Sequence, residues 1–344
     1  MKTRTFTFRF TNPAFLGNAE QNGAWRTPPI KALLRQWWRV AYAAQRNFQV
    51  DVERMRREEA MLFGHADTDG ANRSLVRLRL NRWDEGTLKT WNALDKIKHL
   101  EVPVSVDAGL YLGYGPVTLP KGIKGAQPKL NKANAVIQAD ESASFRLAYP
   151  QEHASLLEQA LWLMDHFGTL GGRSRNGWGS FSLTPEAGEA LHGKLPLRDW
   201  QDCLQLDWPH AIGKDRQGVL IWQTRPQADW KKVMVELAKL KIGLRTQLTF
   251  TTGKNAPKTE ERHWLSYPVT NHSVAAWGGN LRLPNSLRFK VRPAENDQFV
   301  GVIFHAPCKP PSAFKPDLDA IKKVWQQVHQ FLDNPKNGLS RIQE

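Results

Sequence analysis

The chain is poor in cysteine, short of acidic residues and without a long apolar run. Two cysteines in 344 residues, Cys203 and Cys308, cannot build a disulfide framework or a cysteine-rich zinc site, and 10 histidines are scattered without ligand spacing. A reducing compartment and no bound metal are expected. No stretch approaches the roughly 20 apolar residues that span a bilayer, and residues 1–12 alternate instead of forming the apolar core of a signal peptide. Nor does any long basic amphipathic helix suggest docking on a membrane surface. The expectation is a cytoplasmic protein with no membrane partner.

The acid deficit is the most informative shortage. Against 33 Asp and Glu stand 48 Lys and Arg, a formal charge of +15, which points to a polyanionic partner. Catalytic signatures are also missing: there is no Gly-x-Ser-x-Gly elbow and no His-Glu-x-x-His. The acidic stretch from His65 to Gly70 lacks the closing Glu of a calcium loop. An RNase working through His with Lys or Tyr needs no sequence adjacency, and His153 and His166 are then the first suspects.

At 344 residues the length suggests about two domains. Phe6, Phe8 and Phe10 alternate with polar residues, the period of a half-buried strand over residues 3–10. Thr27-Pro28-Pro29 reads as an N-cap followed by the first helical position, opening a helix over 29–48 with Ile30, Leu34, Trp37 and Ala41 as its apolar stripe. Further strands are expected over 73–80, 102–112, 144–149 and 178–183, with a helix over 152–167 and a mobile lysine-rich loop over 121–132. With the stretches between them treated as insertions, the order is β, α, β, β, α, β, which places two helices on one face of an antiparallel sheet and leaves the other face open. A loop-like run over 185–196 separates a second set: strand 218–224, helix 229–242, strands 286–291 and 299–305, and helix 316–332. No final strand is legible after Pro335. The expected fold class is therefore α+β, two ferredoxin-like βαββαβ domains over residues 1–185 and 186–344, the second degenerate.

The segment Gly168 to Gly179 holds five glycines with Arg173 and Arg175, between a helix and a strand. Glycines permit sharp turns and close backbone approach, and free N–H groups beside arginines suit phosphate oxygens. It is not a Walker loop, lacking the Gly-Lys-Ser/Thr ending, and it leaves a helix where a dinucleotide fingerprint would enter one. Gly171, Gly172, Arg173, Ser174, Arg175, Asn176 and Gly177 are the candidate contacts. A second group is Arg26, Lys31, Arg35 and Arg39 at the entry and along one side of the first helix, able to track a backbone, with Trp38 beside them to stack a base. Weaker candidates are Lys121, Lys124, Lys129 and Lys132 in the lysine loop, and Arg282, Arg288 and Lys290 near the late strands. Arg288, Lys290 and Arg292 share one side of a strand, facing either an anion or water.

Several of these segments together resemble the RAMP superfamily of CRISPR systems. They are Thr27-Pro28-Pro29-Ile30-Lys31 with Leu34 to Arg39, Glu59-Ala60-Met61-Leu62-Phe63-Gly64, and Gly171 to Gly179. Trp264-Leu265-Ser266-Tyr267-Pro268 and Asn280 to Leu287 extend the likeness, most closely to the first subunit of the type III-B effector, the Cmr complex. The resemblance implies paired ferredoxin-like folds, no catalytic duty, no cofactor, and a place in a ribonucleoprotein beside the 3′ region of the guide RNA. Arg26, Lys31, Arg35, Arg39 and Arg173 to Asn176 would then contact guide or target RNA. Lacking a glycine loop and a last strand, the second half is expected mainly to hold a neighbouring subunit. The competing readings are a metal-independent endoribonuclease of the same superfamily that processes guide RNA, and an unrelated basic protein on duplex DNA.

Overall fold

The computed structural model describes residues 1–67, 70–123, 125–131, 136–251 and 253–343. Its first half contains β1 (Lys2–Phe10), α1 (Thr27–Gln45), α2 (Val52–Phe63), β2 (Arg77–Leu80), α3 (Ala108–Gly113), β3 (Ser142–Tyr149), α4 (Ala154–Phe167) and β4 (Phe181–Pro185). The four strands form one antiparallel sheet in the order β4-β1-β3-β2. Alternation in β1 sends Phe6, Phe8 and Phe10, none of them exposed, into a core with Phe145 and Phe181. Phe8 stacks on Phe181 with ring centroids 4.3 Å apart. Helices α1 and α4 cover that face, bringing Leu34, Trp37, Leu161 and Met164 into the same core.

The second half contributes β5 (Ile221–Thr224), α5 (Trp230–Thr246), α6 (Glu261–Leu265), β6 (Leu287–Pro293), β7 (Phe299–His305), α7 (Leu318–Asp333) and β8 (Leu339–Arg341). Their sheet runs β6-β7-β5-β8, again antiparallel throughout. One face carries Trp222, Phe289, Val291 and Ile303 into a core with α5 and α7. The opposite face carries Ile221, Val300, Val302 and Phe304 into the core of the first half. Phe304 meets Phe167 of α4 at 5.0 Å and Trp37 of α1 at 6.3 Å, so α1 and α4 lie between the two sheets. The layers run sheet, helices, sheet, helices. A further three-stranded sheet, Leu197–Asp199, Ile212–Asp215 and Gly218–Val219, joins the halves. Among the described residues, no helix is long and apolar enough to cross a membrane.

The α+β class is observed, and most elements fall where periodicity places them; five expectations change. A final strand does follow Pro335: β8 pairs with β5, Trp222 opposite Arg341, and three residues after a left-handed Gly338 are too few to show alternation. Arg341 is fixed there by Asp215 at 2.6 Å and Asp333 at 2.8 Å. The stretch expected as strand over 102–112 is strand only at Ser105–Asp107, after which Asp107 caps α3 through Leu110 N–H. Helix α2 was not expected; Asp51 caps it by accepting from Arg54 N–H. Part of the lysine-rich loop is a strand pair, Val117–Thr118 against Lys129–Leu130. In α1, Thr27 is already helical and Arg26 takes the cap position, with proline in the first turn. Both cysteines are free thiols.

Candidate nucleic-acid interface

The glycine-rich segment after α4 is held by backbone bonds to the chain that leaves β1. Gly172 N–H donates to Phe15 O at 2.8 Å, Gly179 N–H to Pro13 O at 2.9 Å, and Leu170 N–H to Gly179 O at 2.9 Å. At two positions only glycine fits. A Cβ on Gly179 would lie 1.8 Å from Leu170 O, and one on Gly171 2.6 Å from Phe15 O, both at positive φ. Asn12, fully buried, fastens the loop from inside: its Nδ2 donates to Gly177 O at 2.8 Å and its Oδ1 accepts from Ser180 N–H at 2.9 Å. Trp178 is also fully buried, among Phe15, Trp91 and Trp230. This anchoring pushes the segment between outward, with Arg173 (φ 57°) and Arg175 exposed.

The loop sits on the seam between the halves. Phe289 N–H of β6 donates to Arg175 O at 3.1 Å, and Val291 N–H donates to Ser180 Oγ at 2.9 Å. Asn176 accepts from Lys241 Nζ of α5 at 2.6 Å and donates to Leu112 O of α3 at 2.7 Å. Burial, then the charges of Arg245 and Arg173, push the Lys241 ammonium down to about 7. On the other flank Arg288 is pushed down to about 10, by burial first and then by Arg175. Among the described residues, no ion pair engages Arg173, Arg175, Lys241, Arg245 or Arg288. Glu101, close enough to feel the charge of Arg245, is already bonded to Arg262. Five cations without a bonded carboxylate around exposed loop backbone form a site suited to phosphate oxygens.

Arg26 donates through its guanidinium to Gly17 O at 2.5 Å, in the segment whose Phe15 carbonyl anchors the loop. Lys31, Arg35 and Arg39 line the seam of α1 with α2 instead. Lys31 Nζ donates to Ser74 Oγ at 2.7 Å. Arg35 and Arg39 both grip the buried carboxylate of Glu59, Arg39 at 2.6 and 2.7 Å. Each keeps about 40% of its side chain exposed, with 39% and 40% for Arg35 and Arg39.

Two candidates are corrected. Trp38 is 2% exposed and packs on Tyr42 and Phe63, so it fills the α1–α2 interface and cannot stack a base. Lys290 is fully buried, its Nζ donating to Asp165 O at 2.5 Å and Gly168 O at 2.8 Å, where it caps the end of α4. On the strand side shared by Arg288, Lys290 and Arg292, the partner of Lys290 is therefore the first half of the chain, neither a free anion nor water, while Arg288 stays beside the loop without a bonded carboxylate. Exposed Arg282 bonds to Gly279 O and Leu281 O of its own turn, far in sequence from the loop. Lys121 and Lys129 are exposed, and the Lys129 ladder adjoins Gly115 and Pro116, which face Arg173 and Gly172. Lys124 and Lys132 lie outside the described residues.

Sequence reasoning missed Lys241, Arg245 and Asn12. Lys241 and Arg245 stand four apart on α5, a spacing that puts both on one helix face, but only tertiary packing aims that face at the loop. Of the histidine suspects, His166 lies on Trp162 with its Nδ1 2.9 Å from Trp162 O, and burial pushes it down to about 4. His153 stands at the start of α4.

A family model for the RAMP superfamily matches residues 7–182. Among solved structures, the chain is similar to Cmr1 from Pyrococcus furiosus in its apo form, at 13% identity and a TM-score of 0.47, covering 99% of this chain and 98% of that one. It is also similar to a chain of the type III-B Cmr-beta complex bound to cognate target RNA, at 10% identity and TM-score 0.47, covering 95% and 99%. A chain of a type IV-B CRISPR complex matches at 15% identity and TM-score 0.32 over 57% of this chain and 94% of that one. No curated protein matched the chain at a significant level. With the family match running from within β1 to within β4, over half of the chain and past the glycine-rich loop, the chain belongs to the RAMP superfamily.

Proposed function

We propose that the protein is a non-catalytic RNA-binding subunit of a type III-B CRISPR effector, holding the backbone of guide RNA, target RNA or both in the cytoplasm. Superfamily membership supports the class, and the motifs of the sequence, Thr27 to Arg39 and Gly171 to Gly179 above all, favour the first Cmr subunit within it. The observation that carries the RNA reading is the glycine-rich loop ringed by Arg173, Arg175, Lys241, Arg245 and Arg288 with no bonded carboxylate. Backbone amides and cations of this kind grip phosphates and leave the bases unread. Sequence choice then falls to pairing between guide and target.

The two sheets share one plan: numbering the strands of each half 1 to 4 in chain order, both run 4-1-3-2. We read them as two ferredoxin-like units, over residues 1–185 and 186–344. Exposed Leu100, Val102 and Val104 offer apolar surface for a neighbouring subunit.

The test is a filter-binding titration of guide RNA against salt. Arg173→Ala with Arg175→Ala is expected to weaken binding and to lower the slope of log affinity on log salt by about 1.4, at about 0.7 per lost contact to a single strand. Unchanged affinity and slope overturn the reading. In EDTA, repeat RNA is expected to remain intact with the purified protein; site-specific cleavage would make it the processing enzyme instead.

A further inference from the structure

The two sheets differ in one respect that the glycine loop does not use. The second sheet is covered on both faces, by α5 and α7 on one and by α1 and α4 on the other. Among the described residues, the first is covered on one face only. Its outward side chains are Thr3, Thr5, Thr7 and Arg9 of β1, Arg77 and Arg79 of β2, Ser144 and Arg146 of β3, and Ser182 and Thr184 of β4, all exposed or half-buried.

Arg79 stands directly opposite Arg146 in the ladder, and Arg77 two residues along the same strand stands opposite Ala148. Like charges placed directly across a ladder are destabilising. Among the described residues, none of these three arginines has a hydrogen bond or an ion pair. Of the acids in the flanking chain, Asp140 is already paired with Arg9 at 2.9 Å, and Glu186 lies on the far side of β1 from Arg146. Among the described residues these three arginines therefore stand on the face without a bonded carboxylate, with Arg79 and Arg146 held opposite each other at a cost to the fold.

We infer that this outward face is a second RNA-backbone surface, with Arg77, Arg79 and Arg146 as its phosphate contacts and the Thr and Ser hydroxyls as lesser donors. The inference rests on the RNA-binding reading above and extends it from the loop to the open face of the first sheet. Its composition selects the partner. A protein interface keeps an apolar or aromatic centre, which this face lacks, whereas nucleic-acid interfaces are polar and cationic. Aromatic side chains are also absent from it, so bases are not stacked and the contact is with phosphate and ribose. Alternate residues on a strand are about 6.8 Å apart, which lets Arg77 and Arg79 meet successive phosphates of one strand.

The experiment uses the full chain and labelled polyuridylate, titrated at several salt concentrations. Four forms are compared: wild type, Arg77→Ala/Arg79→Ala/Arg146→Ala, the same three positions changed to Lys, and Arg173→Ala/Arg175→Ala. The alanine variant is expected to melt no lower than wild type and to lose about 2 from the salt slope, three contacts at about 0.7 each, while the lysine variant restores it. The loop variant is expected to keep the part of the slope due to the sheet. A sheet variant that binds like wild type while the loop variant weakens overturns this inference and leaves the RNA reading standing. Wild-type protein that does not bind polyuridylate overturns both. A sheet variant with normal RNA binding that drops out of the assembled effector assigns the face to an acidic protein partner and overturns the inference too.

Discussion

At Glu59 two arginines from α1 meet one carboxylate that is 1% exposed, and the contact decides how much of α1 is free for RNA. The bond network is intermediate between a surface pair and a buried one, because the guanidinium groups stay partly in water. Glu59→Ala is expected to cost about 2 kcal/mol in urea denaturation. It should also free Arg35 and Arg39, so RNA affinity measured under stabilising conditions rises. Lys241 supplies a pH signature. Its folded pKa of about 7 lies below the ordinary 10.5, so between those values the unfolded chain binds more protons and stability rises with pH. Bound phosphate favours the charged ammonium, so RNA affinity is expected to fall as pH climbs above about 7. Lys241→Arg should flatten that decline, which binding curves at about pH 6 and pH 9 will show.

Among elements, the glycine-rich loop and the end of α4 are the most sensitive. Gly179→Ala forces a Cβ against Leu170 O at a positive φ, and a loss of about 3 kcal/mol or more is expected in thermal or urea unfolding. Lys290→Met keeps the volume but strands the carbonyls of Asp165 and Gly168, and should cost about 1–3 kcal/mol with little direct effect on phosphate contacts. The elements legible in the sequence are those whose faces contrast. In α7, Ile321, Trp325, Val328 and Leu332 line one stripe, and β1 alternates phenylalanine with threonine. Helix α2 was hidden because Arg54, Arg56, Arg57, Glu53 and Glu58 crowd a short helix whose buried apolar residues are Met55, Leu62 and Phe63. Strand β8 was hidden because three residues carry no period.

Across the whole molecule the halves share a core, since Phe304 of the second sheet packs on Trp37 and Phe167 of the first half. Phe304→Ala is expected to cost about 3–5 kcal/mol and to lower a single thermal transition. Two separate transitions in calorimetry would show that the halves unfold independently.

The sequence by itself pointed to a polyanionic partner and determined the α+β alternation and the loop, because charge balance, hydrophobic period and glycine content are local properties. It also named Arg173 and Arg175 as the loop's cations. Only the tertiary structure decided which other basic residues remain available. Trp38 and Lys290 are consumed by packing and capping, while Lys241 and Arg245 are brought half-buried to the flank of the glycine-rich loop and Arg79 and Arg146 are left exposed. A lysine on a strand reads the same whether it faces water or a helix end, and the neighbour that settles the matter lies more than 100 residues away along the chain, 122 and 125 for the carbonyls that hold Lys290.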